Sequence, residues 1–99
     1  MVERNLRRSA TQWLRSQGAV VHVNTGAGPV GRPDIDVWPE DGMPWMLELK
    51  TVSSDGRRTR LSPAQVVYID WLRSKGVRVE VCHSLTEVQA AFQGDGRGG

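Results

Sequence analysis

Asp34-Ile35-Asp36-Val37-Trp38 and Trp45-Met46-Leu47-Glu48-Leu49-Lys50-Thr51 are two alternating runs separated by Pro39 to Pro44, a turn that contains Asp41-Gly42. Side chains of a strand leave it on alternate faces. In the first run Ile35 and Val37 share one face, and Asp34, Asp36 and Trp38 the other. In the second, Trp45, Leu47 and Leu49 share one face, and Met46, Glu48 and Lys50 the other. The pair therefore predicts an antiparallel hairpin whose loop is somewhat longer than the tightest types.

Working outward, residues 24–33 form a Gly/Pro-rich loop, and Ala19 to Val23 is a short β-branched run that predicts a strand. Leu6, Ala10, Trp13 and Leu14 recur at helical spacing within residues 3–17, with Gly18 as a stop. Arg4, Arg7, Arg8 and Arg15 fall off that apolar stripe. Downstream, residues 52–61 are polar and carry Arg57, Arg58 and Arg60. Ser62-Pro63-Ala64-Gln65 predicts a helix start, with Ser as cap, Pro in the first turn and Gln three residues after the cap. That helix runs to about Lys75 and ends at Gly76. Val77, Val79 and Val81 alternate in a fourth strand. Ser84 with Glu87 makes a second capping box, opening a last helix with Leu85, Val88 and Phe92 inward. A flexible tail is expected from Gly94 to Gly99.

The order is helix, three strands, helix, strand, helix. A strand–helix–strand unit crosses over right-handedly and makes its two strands parallel. The expected fold is an α/β (α+β) domain over residues 1–93, with a mixed sheet of about four strands flanked by helices.

A chain of 99 residues suits one such domain, and its hydrophobic content of 38% against 24% charged is that of a globular protein. The four Trp are expected chiefly in the core, although an exposed one can stack on a base. Eleven of the thirteen basic residues are Arg. Guanidinium forks match phosphate oxygens, which suits a nucleic-acid partner; a high-GC coding bias gives the same composition. One Cys excludes an internal disulfide and fits a reducing cytoplasm. No apolar run approaches the roughly 20 residues of a membrane span. The charged start, Glu3, Arg4, Arg7 and Arg8, lacks the core of a signal peptide. The expectation is an intracellular, cytoplasmic protein.

Glu48 and Lys50 leave one strand on the same face, and Asp34 begins the neighbouring strand. Two carboxylates brought together repel unless a cation lies between them or one is protonated. A hard divalent ion satisfies them, and Mg²⁺ typically takes one or two carboxylates plus waters and substrate phosphate. The triplet by itself equally describes a solvated strand face with an ordinary Glu–Lys pair.

The ordered set is more specific. Gly31-Arg32-Pro33-Asp34, then Glu48-Leu49-Lys50, then Ser62-Pro63-Ala64-Gln65, behind an N-terminal helix carrying Glu3, resembles the VRR-Nuc family of the PD-(D/E)xK nuclease superfamily. The resemblance runs from Glu3 to about Phe92. It implies a restriction-endonuclease-like αβββαβ core, here with an extra C-terminal helix, and a DNA endonuclease dependent on Mg²⁺ or Mn²⁺. It also implies Asp34 and Glu48 as metal ligands, with the Leu49 carbonyl as a further one. Lys50 is then the catalytic lysine, and Glu3 and Gln65 accompany it at the site. Asp36 remains an alternative to Asp34, which is favoured because it completes G-x-P-D. Stand-alone relatives look like viral or bacterial homodimers acting on branched DNA, including four-way (Holliday) junctions. Activity on flaps or single strands, and DNA binding without cleavage, are the other readings.

Glu3 also suits the dipole of a helix N-terminus, and Gln65 also suits a plain capping role. Arg4, Arg7, Arg8 and Arg15 on the helix, and Arg57, Arg58 and Arg60 on the loop, can straddle a phosphate backbone, with Arg32 near the scissile group; each is equally an ordinary surface charge. Gly26 to Gly31 formally matches G-x-G-x-x-G, but Pro29 and the strand that follows argue against a dinucleotide site. His22, His83 and Cys82 cannot supply an ordinary four-residue zinc site and read as structural or exposed.

Overall fold

The computed structural model describes residues 3–26 and 28–94, without the side chains of Glu3 and Arg4. Of the tail expected over residues 94–99, Gly94 is instead the last residue of the final helix, and residues 95–99 lie outside the described residues. The elements run α1 (Glu3–Ser16), β1 (Val20–Val23), β2 (Ile35–Trp38), β3 (Trp45–Leu49), α2 (Pro63–Ser74), β4 (Val79–Cys82) and α3 (Leu85–Gly94). The sheet has the order β1-β2-β3-β4, antiparallel across its first two pairings and parallel between β3 and β4. This is the mixed four-stranded α+β architecture expected from the sequence, and no described helix is long and apolar enough to cross a membrane.

The period-2 pattern sorts the two faces. Ile35, Val37, Trp45, Leu47 and Leu49 join Leu6, Ala10 and Leu14 of α1 and Val88 of α3 in one buried cluster. Burying each of the larger side chains is worth about 1.5–3 kcal/mol. α1 is closed by Gly18, whose positive φ lets the Ala19 N–H return to the Leu14 carbonyl at 3.2 Å. Ala19 is itself buried, so the turn into β1 is fixed by packing as well as by hydrogen bonds.

On the opposite face α2 sets Ile69 and Leu72 against Val79, with Met46, Leu61, Tyr68, Val77 and Val81 around them. One helix covers only part of this face. Val20 and Trp38, paired across β1 and β2, remain 68% and 54% exposed. Trp71 on the outer side of α2 is also 54% exposed. The expectation that the Trp residues are core holds fully for Trp45, and partly for Trp13, which packs edge-on against Phe92. It fails for Trp38 and Trp71, because their faces have no covering element.

Candidate functional site

β2 and β3 pair Ile35 with Leu47 and Asp36 with Met46. One more step of that register sets Asp34 opposite Glu48, both on the face that α2 covers. The Leu49 N–H donates to Asp34 Oδ2 at 2.9 Å, so the carboxylate caps the strand end where the ladder runs out. Asn24 holds the same segment from the β1 side. Its N–H donates to the Asp34 carbonyl (2.7 Å), and its Nδ2 donates to the Pro33 carbonyl (2.8 Å).

Glu48 is 1% exposed, an unusual burial for a carboxylate. Gln65 Nε2 donates to its Oε2 at 2.9 Å, and Lys50 Nζ lies 3.6 Å from the same oxygen. Gln65 therefore has two tasks. Its Oε1 accepts the Ser62 N–H (2.8 Å) while Ser62 Oγ accepts the Gln65 N–H (3.2 Å), the reciprocal capping box that starts α2. One side-chain amide thus ties the helix start to the buried carboxylate. Gln65→Glu keeps an acceptor for the cap but replaces the donor facing Glu48 with a second carboxylate. The expected result is that α2 still forms, while any reaction dependent on ionised Glu48 shifts its acidic limb to higher pH. Gln65→Ala should lose the cap and shift that limb upward less, because it removes the donor to Glu48 without adding a charge. The pH–rate profiles of the two variants check this.

The close approach of the Asp34 loop to α2 depends on Gly31. Its φ is +91°, and a Cβ there would sit 2.4 Å from the Ala64 carbonyl oxygen. Asp36, the alternative carboxylate, is otherwise engaged: Arg32 Nη2 lies 3.2 Å and His22 Nδ1 3.5 Å from its Oδ2. Arg32, expected near the scissile group, is thereby turned toward Asp36.

Asp34, Glu48, Lys50 and Gln65 are thus brought together, with the Leu49 peptide between Glu48 and Lys50. The Glu3 and Arg4 side chains lie outside the described residues. Arg7 and Arg8 are exposed on α1, across the sheet from α2. Arg15 instead donates to the Val21 carbonyl at 3.2 Å. Arg57 and Arg58 pair with Asp55 (3.5 Å) and Glu87 (2.7 Å), and Arg60 is exposed.

Two polar contributors were not foreseen. Asn24 lay in an uninformative loop. His83 lies within reach of Glu87, a contact for which the second capping box was the only sequence signal. That box differs in detail: Ser84 Oγ accepts the Glu87 N–H, but Glu87 reaches back to the N–H of His83, one residue before the cap. Cys82 is buried, and burial pushes its thiol up to about 12, so it stays a protonated, inert packing group.

Oxygen chemistry dominates the centre. Asp34, Glu48 and the Leu49 carbonyl offer hard donors, and among the described residues no three His, Cys, Asp or Glu side chains form a metal cluster by themselves. Such a set fits a small divalent cation that retains water better than it fits zinc.

A family model described as the VRR-NUC domain matches residues 3–86. Among solved structures, a VRR_NUC domain superposes with a TM-score of 0.78 at 24% identity, covering 92% of this chain and 94% of the other. A VRR_NUC domain protein does so with a TM-score of 0.75 at 15% identity, covering 98% and 89%. At these identities the likeness speaks for the fold. No curated protein matches the sequence.

Proposed function

Because the chain belongs to the VRR-NUC domain family, a family of nuclease domains, we propose that it is a metal-dependent endonuclease that hydrolyses phosphodiester bonds in DNA. The observation that carries this reading is the convergence of Asp34 and Glu48 from adjacent strands, with Lys50 and Gln65 both directed at one oxygen of Glu48.

Asp34, Glu48 and the Leu49 carbonyl would hold Mg²⁺, for which Mn²⁺ can substitute. A bound ion of this kind polarises a phosphoryl oxygen and lowers the pKa of water. The chain's own groups do the rest. Gln65 and Lys50 fix the Glu48 carboxylate in one orientation, so little reorganisation is needed when substrate arrives. Lys50, 14% exposed, is near enough to solvent to orient an attacking water and to stabilise negative charge developing on the phosphate. The Leu49 N–H keeps Asp34 turned toward the same place. Arg57, Arg58 and Arg60, on the loop before α2, supply backbone contacts that carry no sequence information.

Family resemblance further supports branched DNA such as four-way junctions as the preferred substrate, and a homodimer that cuts symmetrically. Labelled junctions, flaps and linear duplexes incubated with Mg²⁺ or EDTA test this directly. Cutting is expected with Mg²⁺, none with EDTA, and junctions are expected to be cut fastest. Equal rates on all three would remove the branched-DNA preference, and cutting in EDTA would remove the metal.

A further inference from the structure

Beside the catalytic face lies a groove of about 880 Å³ lined by Arg57, Arg58, Arg60, Leu61, Val66 and His83. Its position follows from the parallel ladder. Glu48 pairs with Val81, which also lines the groove, and Leu49 pairs with Cys82. The Lys50 N–H donates to the Cys82 carbonyl at 2.9 Å. One further step of the ladder sets His83 next to Lys50.

Glu87 organises this corner. Its Oε2 accepts from Arg58 Nη2 at 2.7 Å, and its Oε1 accepts the His83 N–H at 2.8 Å and lies 3.3 Å from His83 Nδ1. The His83 N–H, then its ring and Arg58, hold the Glu87 carboxyl below the usual range against the cost of desolvation. It is therefore an ionised acceptor, and the proton of neutral His83 sits on Nδ1. That leaves Nε2 as the ring nitrogen not held by Glu87, on a residue that lines the groove. A neutral Nε2 cannot donate to an anion; a protonated one can.

We propose that His83, held by Glu87, contacts a phosphate of the substrate strand beside the scissile group, with Arg58 as the second contact of that subsite. The ligand class is a nucleic-acid phosphodiester, taken up together with one proton on Nε2. The charged groups around the ring are Glu87 from α3, Arg57, Arg58 and Arg60 from the loop before α2, and Lys50 just beyond β3. His83 is here a binding residue flanking the reaction, and the subsite rests on the nuclease reading of the neighbouring centre.

The test measures binding of a labelled linear DNA duplex by anisotropy in EDTA, at pH 6 and pH 8, and separately cleavage with Mg²⁺. The wild-type chain is expected to bind more tightly at pH 6. His83→Gln should weaken binding about fivefold at pH 6, change it little at pH 8, and reduce the salt slope by about 0.9 at pH 6. In cleavage it should raise KM and leave kcat within about threefold. Arg58→Ala should weaken binding at both pH values. Glu87→Gln keeps an acceptor for the His83 N–H but should move the pH dependence to lower pH. If the wild type cuts while His83→Gln and Glu87→Gln retain its pH dependence and salt slope, the subsite is overturned and the nuclease reading stands. If the wild type does not cut yet its pH-dependent binding vanishes in His83→Gln, the subsite stands and the nuclease reading falls.

Discussion

Glu48→Gln is expected to lower the rate of DNA cleavage on the order of 10³-fold while the protein remains folded. The substitution is close to isosteric at a site that is 1% exposed, so it opens no cavity and adds no bulk. A side-chain carbonyl remains to accept from Gln65 Nε2 where Oε2 does so at 2.9 Å. What disappears is a negative charge at the meeting point of Asp34, Lys50 and the Leu49 peptide. A hard cation loses a ligand there, and Lys50 loses the partner 3.6 Å away that orients it. Asp34→Asn should behave alike, since its amide oxygen can still accept the Leu49 N–H that now bonds Oδ2 at 2.9 Å. Cleavage assays with Mg²⁺ beside circular dichroism of each variant separate lost chemistry from lost fold. Wild-type rates in either variant would dismiss these carboxylates as the centre.

The parts of this site that were legible in the sequence follow from period and turn length. Alternation placed Glu48 and Lys50 on one face of the run that includes β3, and one further step of the β2–β3 register sets Asp34 opposite Glu48. A register slip of one residue would have turned Leu47 and Leu49 away from the core, so the apolar residues specify where the acidic ones fall. The capping pattern at Ser62 was readable because it is local. The family resemblance placed Gln65 near the site, but its contact with Glu48 was not foreseen. Local rules do not see a contact 17 residues apart.

Other features depended on tertiary coverage. Alternation assigned Trp38 to the face of β2 opposite Ile35 correctly, yet burial on that face depends on where α2 lies. α2 packs over Val79 and Met46, leaving Val20, His22 and Trp38 outside its reach. The Arg58–Glu87 pair joins residues 29 apart, so a run of arginines that looked uniformly available contains one already held. Arg32 likewise meets Asp36 across four residues, so Asp36 is engaged in an ion pair, while the β2–β3 register continued by one step carries Asp34 toward Glu48.

Gly31→Ala is expected to destabilise the fold far more than the same change at Gly76, although both residues have positive φ (+91° and +84°). At Gly76 a Cβ meets nothing within 4 Å, so the cost is conformational alone, about 1–2 kcal/mol. At Gly31 the same Cβ would lie 2.4 Å from the Ala64 carbonyl oxygen and 2.7 Å from its carbon. These are backbone atoms in the first turn of α2, and they cannot rotate aside as a flexible side chain would. The loop and the helix must separate, which adds about 1–3 kcal/mol of overpacking. In a domain of this size 1 kcal/mol moves the melting temperature by about 4–8 °C. Gly31→Ala should therefore lower it by roughly 10 °C or more, and Gly76→Ala by about half as much. The separation also carries Asp34, three residues along the loop, away from Glu48 beneath Gln65. Cleavage at a temperature where both variants are folded should then fall strongly in Gly31→Ala and hardly at all in Gly76→Ala. Equal melting shifts for the two would show that the contact with Ala64 is not what holds this loop against the helix.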